Sequence, residues 1–215
     1  MKKAFLFALA TLCVSAVQAV TVSWTSLANN VTDGGTYTIA PNNQSFSVAL
    51  VVTLDQLPSA QLVNGIFSVL SSGLTAGVST GKETINGVAG FYPWISVNSG
   101  GNTPAFNRAL TDEGVKSNFK IGENIFGITI EIGNGAPKAH YYANGVYYTE
   151  GNMTYASNTA TDFNTVKIGA DGVGGDLYFA TGFASAADYA TLPEPTALAL
   201  LALGVAGLAL KRKVA

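Results

Sequence analysis

The stretch Ser45-Phe46-Ser47-Val48-Ala49-Leu50-Val51-Val52-Thr53-Leu54 decides the fold of this chain. In an extended strand successive side chains point to opposite faces, so residues at every second position share one face. Large apolar side chains occupy every second position here, at Phe46, Val48, Leu50, Val52 and Leu54. The alternation predicts a strand with one face in a hydrophobic core.

Similar short runs recur on both sides of this strand. They cover residues 35–40, 66–70, 88–97, 125–132, 138–143, 146–149, 165–168 and 177–181. No helical period of ten residues interrupts them between Val20 and Leu177. Nine short strands and no long helix predict an all-β domain made of two packed antiparallel sheets.

Two local patterns predict finer structure. Asn144-Gly145 separates two tyrosine-rich runs by two residues, and this dipeptide favours a hairpin with a primed turn in which the tyrosines pair across the strands. Near the end of the body, residues 185–192 suit a short helix. We expect Ser185 to cap it, Asp188 to lie in its first turn and Tyr189 to pack on the sheet.

Residues 1–19 have the features of a secretory signal peptide. Lys2 and Lys3 precede an apolar run from Ala4 to Val17, and Ala19 is a small residue at the expected cleavage point. We therefore expect an N-terminal signal helix that export removes. Cys13, the one cysteine of the chain, lies inside this run, so the mature protein would have neither disulfides nor a cysteine nucleophile.

Residues 193–215 have three parts that suit a membrane tail. Pro193-Glu194-Pro195 is followed by the uncharged run Thr196 to Leu210 and then by Lys211-Arg212-Lys213. As a transmembrane helix the run would span about 22 Å, which is short of a hydrocarbon core of roughly 30 Å. The basic cluster favours a cytoplasmic C-terminus with the preceding body outside, in agreement with the signal peptide.

This tail resembles the PEP-CTERM sorting signal of bacteria that produce exopolysaccharide. The resemblance implies that a membrane transpeptidase, the exosortase, is a partner of the protein and processes the tail. A plain single-span membrane anchor is the alternative. Both interpretations place the body in the cell envelope, at the outer surface or in the extracellular matrix.

Residues 20–192 form the predicted domain, with six basic residues against twelve carboxylates. An acidic surface without a Lys or Arg cluster does not favour a phosphate backbone, so we expect no nucleic-acid partner. The chain as a whole is 48% hydrophobic and only 11% charged, which is enough apolar material for a core and too little charge for a disordered chain or a coiled coil.

Three stretches of the body, in order, resemble the concanavalin A-like, or laminin-G-like, jelly-roll domains. Residues 46–70, with Leu57-Pro58, are similar to an early strand, turn and returning strand. Residues 128–149 are similar to the family's aromatic hairpin, and residues 166–192 to its closing strands and final turn. The resemblance implies a jelly-roll fold and carbohydrate as a ligand class.

The body does not show the sequence pattern of an enzyme active site. Glucanases of this fold use a Glu-x-Asp-x-Glu pair of carboxylates, and no glutamate here has an aspartate two positions later. Gly77-Val78-Ser79-Thr80-Gly81 matches the spacing of a nucleophile elbow, but no helical period follows the serine, and we interpret it as a polar loop. We expect no catalytic residues.

Calcium is the one cofactor that the sequence leaves open. Carboxylate and amide oxygens that could bind it occur close together in the sequence, at Asp162, Asn164, Asp171 and Asp176. A transition-metal site is disfavoured, because His140 is the only histidine and the mature chain has no cysteine. We expect His140 to be a solvated strand residue.

Aromatic residues could provide a platform for sugar rings, since an aromatic face covers the apolar side of a pyranose. Of the candidates we place carbohydrate binding at Trp94, Tyr92 and Tyr147, with packing inside the sandwich as the alternative. We predict an exported, non-catalytic β-sandwich that binds carbohydrate or matrix polysaccharide. A structural envelope component without a specific ligand and a glycoside hydrolase with unrecognised carboxylates remain alternatives.

Overall fold

A computed structural model describes residues 22–55, 66–82, 89–97, 120–148, 160–169 and 174–192. These residues form eleven strands and one short helix. The strands are β1 (Thr25–Val31), β2 (Thr36–Thr38), β3 (Phe46–Leu54), β4 (Phe67–Leu70), β5 (Leu74–Lys82), β6 (Ala89–Val97), β7 (Gly122–Glu131), β8 (Lys138–Ala143), β9 (Val146–Tyr148), β10 (Thr165–Ile168) and β11 (Gly175–Thr181), and the helix is α1 (Ala186–Tyr189).

The strands build two antiparallel sheets, as the alternation predicts. The six-stranded sheet has the order β1-β11-β3-β7-β8-β9, and the five-stranded sheet has the order β2-β10-β4-β5-β6. The predicted core residues Phe46, Val48, Leu50 and Val52 are buried, and they pack with residues of the five-stranded sheet such as Val166. The main hydrophobic core therefore lies between the two sheets.

The hairpin of β8 and β9 forms as its sequence predicts. Asn144 and Gly145 have φ angles of 45° and 96°, so both central residues are left-handed, as a primed turn requires. Tyr142 pairs with Tyr147 across the hairpin and Tyr141 pairs with Tyr148. The Asn144 side chain adds a hydrogen bond, because its Oδ1 accepts from the backbone N–H of Ile125 on β7 at 2.7 Å.

Two strands are absent from the sequence-based prediction. The edge strand β1 contains mostly polar residues and pairs with β11 through an irregular register, so no clean alternation marks it. The other, β5, includes residues 77–81, where a polar loop was expected. That prediction is wrong because Leu74, Ala76 and Val78 alternate into the core, while the intervening positions hold small residues that hide the pattern. Ser79 therefore lies within a strand and not at a strand-to-helix elbow.

The predicted signal peptide and C-terminal tail lie outside the described residues. No helix in the described part of the chain has the length and apolarity needed to cross a membrane.

Candidate functional site: the outer face of the six-stranded sheet

After β11 the chain turns back over the outer face of the six-stranded sheet. Gly182 makes the turn with a φ of 104°, a left-handed angle that favours glycine, and its N–H donates to the Ser45 carbonyl at 2.7 Å. We call residues 182–192 the C-terminal segment. It contributes Ala184, Tyr189 and Leu192 to a second hydrophobic core, together with sheet residues Ala49, Val51, Tyr142 and Tyr178. The β3 strand is consequently buried on both faces.

Tyr189 is the centre of this second core. Its ring stacks on Tyr142, with the centroids 4.5 Å apart and the planes at 11°, and Trp24 contacts it at 5.2 Å. Beneath the ring lies Gly127 of β7, where a Cβ would overlap the Tyr189 ring atoms. The helix can approach the sheet this closely because position 127 has no side chain.

A chain of buried hydroxyl groups fixes the C-terminal segment to the sheet. Ser47 Oγ lies 2.9 Å from Thr129 Oγ1, which lies 2.9 Å from the Tyr189 hydroxyl. Ser47 Oγ also accepts from the backbone N–H of Ala184 at 3.0 Å. Burial raises the pKa of Tyr189 well above its usual range, so the phenol stays neutral and keeps its O–H.

The short helix is capped as predicted, although it ends at Tyr189 rather than Leu192. The Ser185 side chain accepts from the Asp188 N–H, and the Asp188 carboxylate accepts from the Ser185 N–H at 2.7 Å. The same carboxylate accepts from the N–H of Val22 at 3.2 Å, and the Asp188 carbonyl accepts from Trp24 Nε1 at 2.9 Å. Asp188 thus joins the first described residues to the last ones.

His140 lies on the same face and is buried, being only 6% exposed. Its Nε2–H donates to the Glu131 carboxylate at 2.9 Å, while Nδ1 has no hydrogen-bond partner among the described residues. Tyr147 stacks on the imidazole at 6.1 Å, and the Phe183 ring meets its edge at 5.0 Å. The expectation of a solvated histidine is therefore wrong, because aromatic rings from β9 and the C-terminal segment cover it.

The three residues predicted for carbohydrate binding do not lie in one strand pair. Tyr92 and Trp94 are in β6, the edge strand of the five-stranded sheet, at register positions opposite Ser79 and Gly77. Tyr147 is in β9, the edge strand of the six-stranded sheet, where burial raises the pKa of its phenol to about 12. The structure thus separates Tyr147 from the other two.

The predicted calcium ligands are also separated. Asp162 and Asn164 precede β10 of the five-stranded sheet, Asp176 belongs to β11 of the other sheet, and Asp171 lies outside the described residues. Asp162 accepts from the hydroxyl and the N–H of Ser72, whereas Asp176 accepts from the N–H of Asn30. In the described ranges, no three His, Cys, Asp or Glu side chains come together as metal ligands. Calcium binding stays a prediction that these contacts do not support.

The Asp162 contact gives a testable pH effect. The Ser72 hydroxyl, followed by its N–H, holds the pKa of Asp162 below the ordinary value of 3.8. This contribution to stability is present above that ordinary value and is lost as the pH falls through the lowered pKa. We expect Ser72→Ala to raise the pKa of Asp162 in an NMR titration. Ser26→Ala, at an exposed serine of β1, should leave the pKa of Asp162 unchanged, and an equal rise there would contradict the assignment.

A comparison with protein-family models matches residues 191–213 to the PEP-CTERM protein-sorting motif. The match includes the predicted Pro193-Glu194-Pro195, and its first two residues belong to the C-terminal segment. The motif indicates an exported protein of the cell envelope that is a substrate for exosortase processing. No curated protein matches the chain.

Several solved structures are similar to the chain at low identity. Alginate lyase Aly36B has a TM-score of 0.46 and 13% identity over 74% of this chain and 78% of its own. The galectin LEC-6 of Caenorhabditis elegans has a TM-score of 0.44 and 10% identity over 72% of this chain and 95% of its own. The Trypanosoma rangeli sialidase has a TM-score of 0.46 and 16% identity, with 76% of this chain covering 26% of the sialidase.

Proposed function

We propose that this protein is an exported, non-catalytic β-sandwich that its C-terminal motif delivers to the cell surface or matrix, where it binds polysaccharide. One observation carries the delivery part of the proposal: the sorting motif overlaps the last described residues of the body, at 191 and 192. Leu192 is the last residue that the structure describes and is buried, at 8% exposure, and Pro193-Glu194-Pro195 follows directly in the sequence. Processing after Pro193-Glu194-Pro195 would leave every described residue of the two cores in the mature protein.

The finer features of the proposal rest on sequence and topology. Residues 1–19 would be a signal helix and residues 196–210 a transmembrane helix that holds the body outside the membrane until processing. The jelly-roll assignment is supported by the pairing of early with late strands in both sheets, β1 with β11 and β2 with β10.

The absence of catalysis is part of the proposal. Two of the described carboxylates already have structural roles: Glu131 is hydrogen-bonded to His140, and Asp188 caps the helix. A glycoside hydrolase would need a pair of carboxylates that face each other about 5 to 9.5 Å apart across a groove.

A glycan array with the full chain would show saturable binding for the proposed function and none for a purely structural component. Release of sugar from a polysaccharide panel would favour the hydrolase.

Sorting can be tested with one substitution in the motif. We expect Glu194→Ala to leave the protein unprocessed in a cell that has an exosortase-type enzyme, as judged by intact mass and by retention in the membrane fraction. The wild-type chain should lose its tail under the same conditions. Glu123→Ala, at an exposed glutamate of β7, is the matched control and should be processed normally. Equal processing of both variants would argue against the motif as the recognition element.

A further inference from the structure

A groove of about 650 Å³ lies at the edge of the six-stranded sheet. It exists because β1 pairs with β11 only as far as Phe179, so the last two residues of β11 extend beyond the paired region. Residues 22–24 turn instead towards Asp188 on the outer face. The lining residues are Val22, Ser23, Thr25, Phe179, Ala180, Thr181, Gly182 and Phe183. The volume lies within the range of about 300–1,000 Å³ that is usual for small-molecule sites.

Phe183 gives the groove an accessible aromatic wall. It is 41% exposed and, with Ile121, is one of two large hydrophobic residues exposed in the described part of the chain. The Phe183 ring packs against the rings of His140 and Tyr147, with centroids 5.0 and 6.1 Å away and steeply inclined planes. The hydrogen bond from His140 to Glu131 fixes the orientation of the imidazole on which Phe183 packs. An exposed ring that is held in a fixed orientation is suited to stacking against a flat ligand.

The rest of the lining defines the chemistry of the ligand. Ser23, Thr25 and Thr181 provide hydroxyl groups that both donate and accept hydrogen bonds. None of the described lining residues is charged, so they offer no counter-ion to a carboxylate or sulfate group. We propose that the groove binds an uncharged saccharide, with one sugar ring stacked on Phe183 and the hydroxyl side chains bonded to its hydroxyl groups. The inference rests on the proposed polysaccharide binding and assigns it to a site.

The test uses the full chain in detergent and two panels of oligosaccharides, one neutral and one composed of uronates. We expect the wild-type protein to bind a neutral member, and Phe183→Ala to weaken that binding about tenfold or more. Phe183→Leu keeps an apolar side chain against His140 but removes the flat ring, so it should weaken binding nearly as much. Phe183→Tyr should retain binding. The matched control is Ile121→Ala, at the other exposed hydrophobic residue, and it should bind as the wild type does.

The outcomes separate this inference from the proposed function. Glycan binding that is unchanged in Phe183→Ala, and abolished in Trp94→Ala, would move the site to β6 and leave the function standing. Binding of uronates alone would overturn the assignment of an uncharged ligand. No binding to either panel would overturn polysaccharide binding and this site together. Thermal unfolding of each variant identifies any loss of binding that follows from loss of the fold.

Discussion

Gly127→Ala is expected to lower the free energy of unfolding by about 2–3 kcal/mol, although the change adds only one methyl group. The methyl would overlap the Tyr189 ring, which is fully buried and stacked on Tyr142. The helix would have to move away from the sheet, and the hydroxyl contact between Tyr189 and Thr129 would be lost. Denaturant unfolding measures the change.

A double-mutant cycle gives this prediction a specific control. Tyr189→Ala alone should cost about 3–5 kcal/mol, as large aromatic truncations in cores do. Gly127→Ala in that background should cost nothing, since the ring that it overlaps is absent. Gly133→Ala, at an exposed glycine with open space around it, should change stability by less than about 0.5 kcal/mol. A full cost of Gly127→Ala in the Tyr189→Ala background would show that the close approach is not its cause.

Ser47→Ala is expected to cost about 2–3 kcal/mol, because it leaves buried polar groups without their partners. The Ser47 hydroxyl accepts from the Ala184 N–H and donates to the Gly182 carbonyl at 3.1 Å, and both groups belong to the C-terminal segment. We expect the Ala184 amide to lose its protection in hydrogen exchange before the sheet amides do. The exposed Ser26 of β1, whose hydroxyl contacts Asn29, is the matched position for Ser→Ala and should change stability little. Unchanged protection at Ala184 would contradict a role for Ser47 in docking this segment.

Local patterns were sufficient to predict much of this structure. The alternation in residues 45–54 predicts β3 and its core face, and the spacing of Ser185 and Asp188 predicts the capped helix. Each of these depends on residues that are close in sequence and on a strong preference of the backbone. The hairpin at Asn144-Gly145 was also predictable, because its turn depends on two adjacent residues.

The covered outer face could not be predicted in the same way, because it depends on contacts between distant parts of the chain. His140 is buried in part because Phe183, more than forty residues later in the sequence, folds back over the sheet and covers it together with Tyr147. One signal was nevertheless present: Ala49 and Val51 are apolar on the second face of β3, which is typical of a strand buried on both sides. The groove beside Phe183 was missed for a related reason, since it arises where β1 stops pairing with β11.

The position of β11 has a consequence for how the protein reaches its native state. This late strand lies between β1 and β3 in the six-stranded sheet. The two early strands therefore do not pair with each other, and each pairs with β11, which is synthesised after both of them. Before β11 is synthesised, β3 can pair with β7 and β4 with β5, but β1 has no described partner strand and one edge of β3 is unpaired. We expect the six-stranded sheet to be completed, with β1 in place, only after β11 has been synthesised.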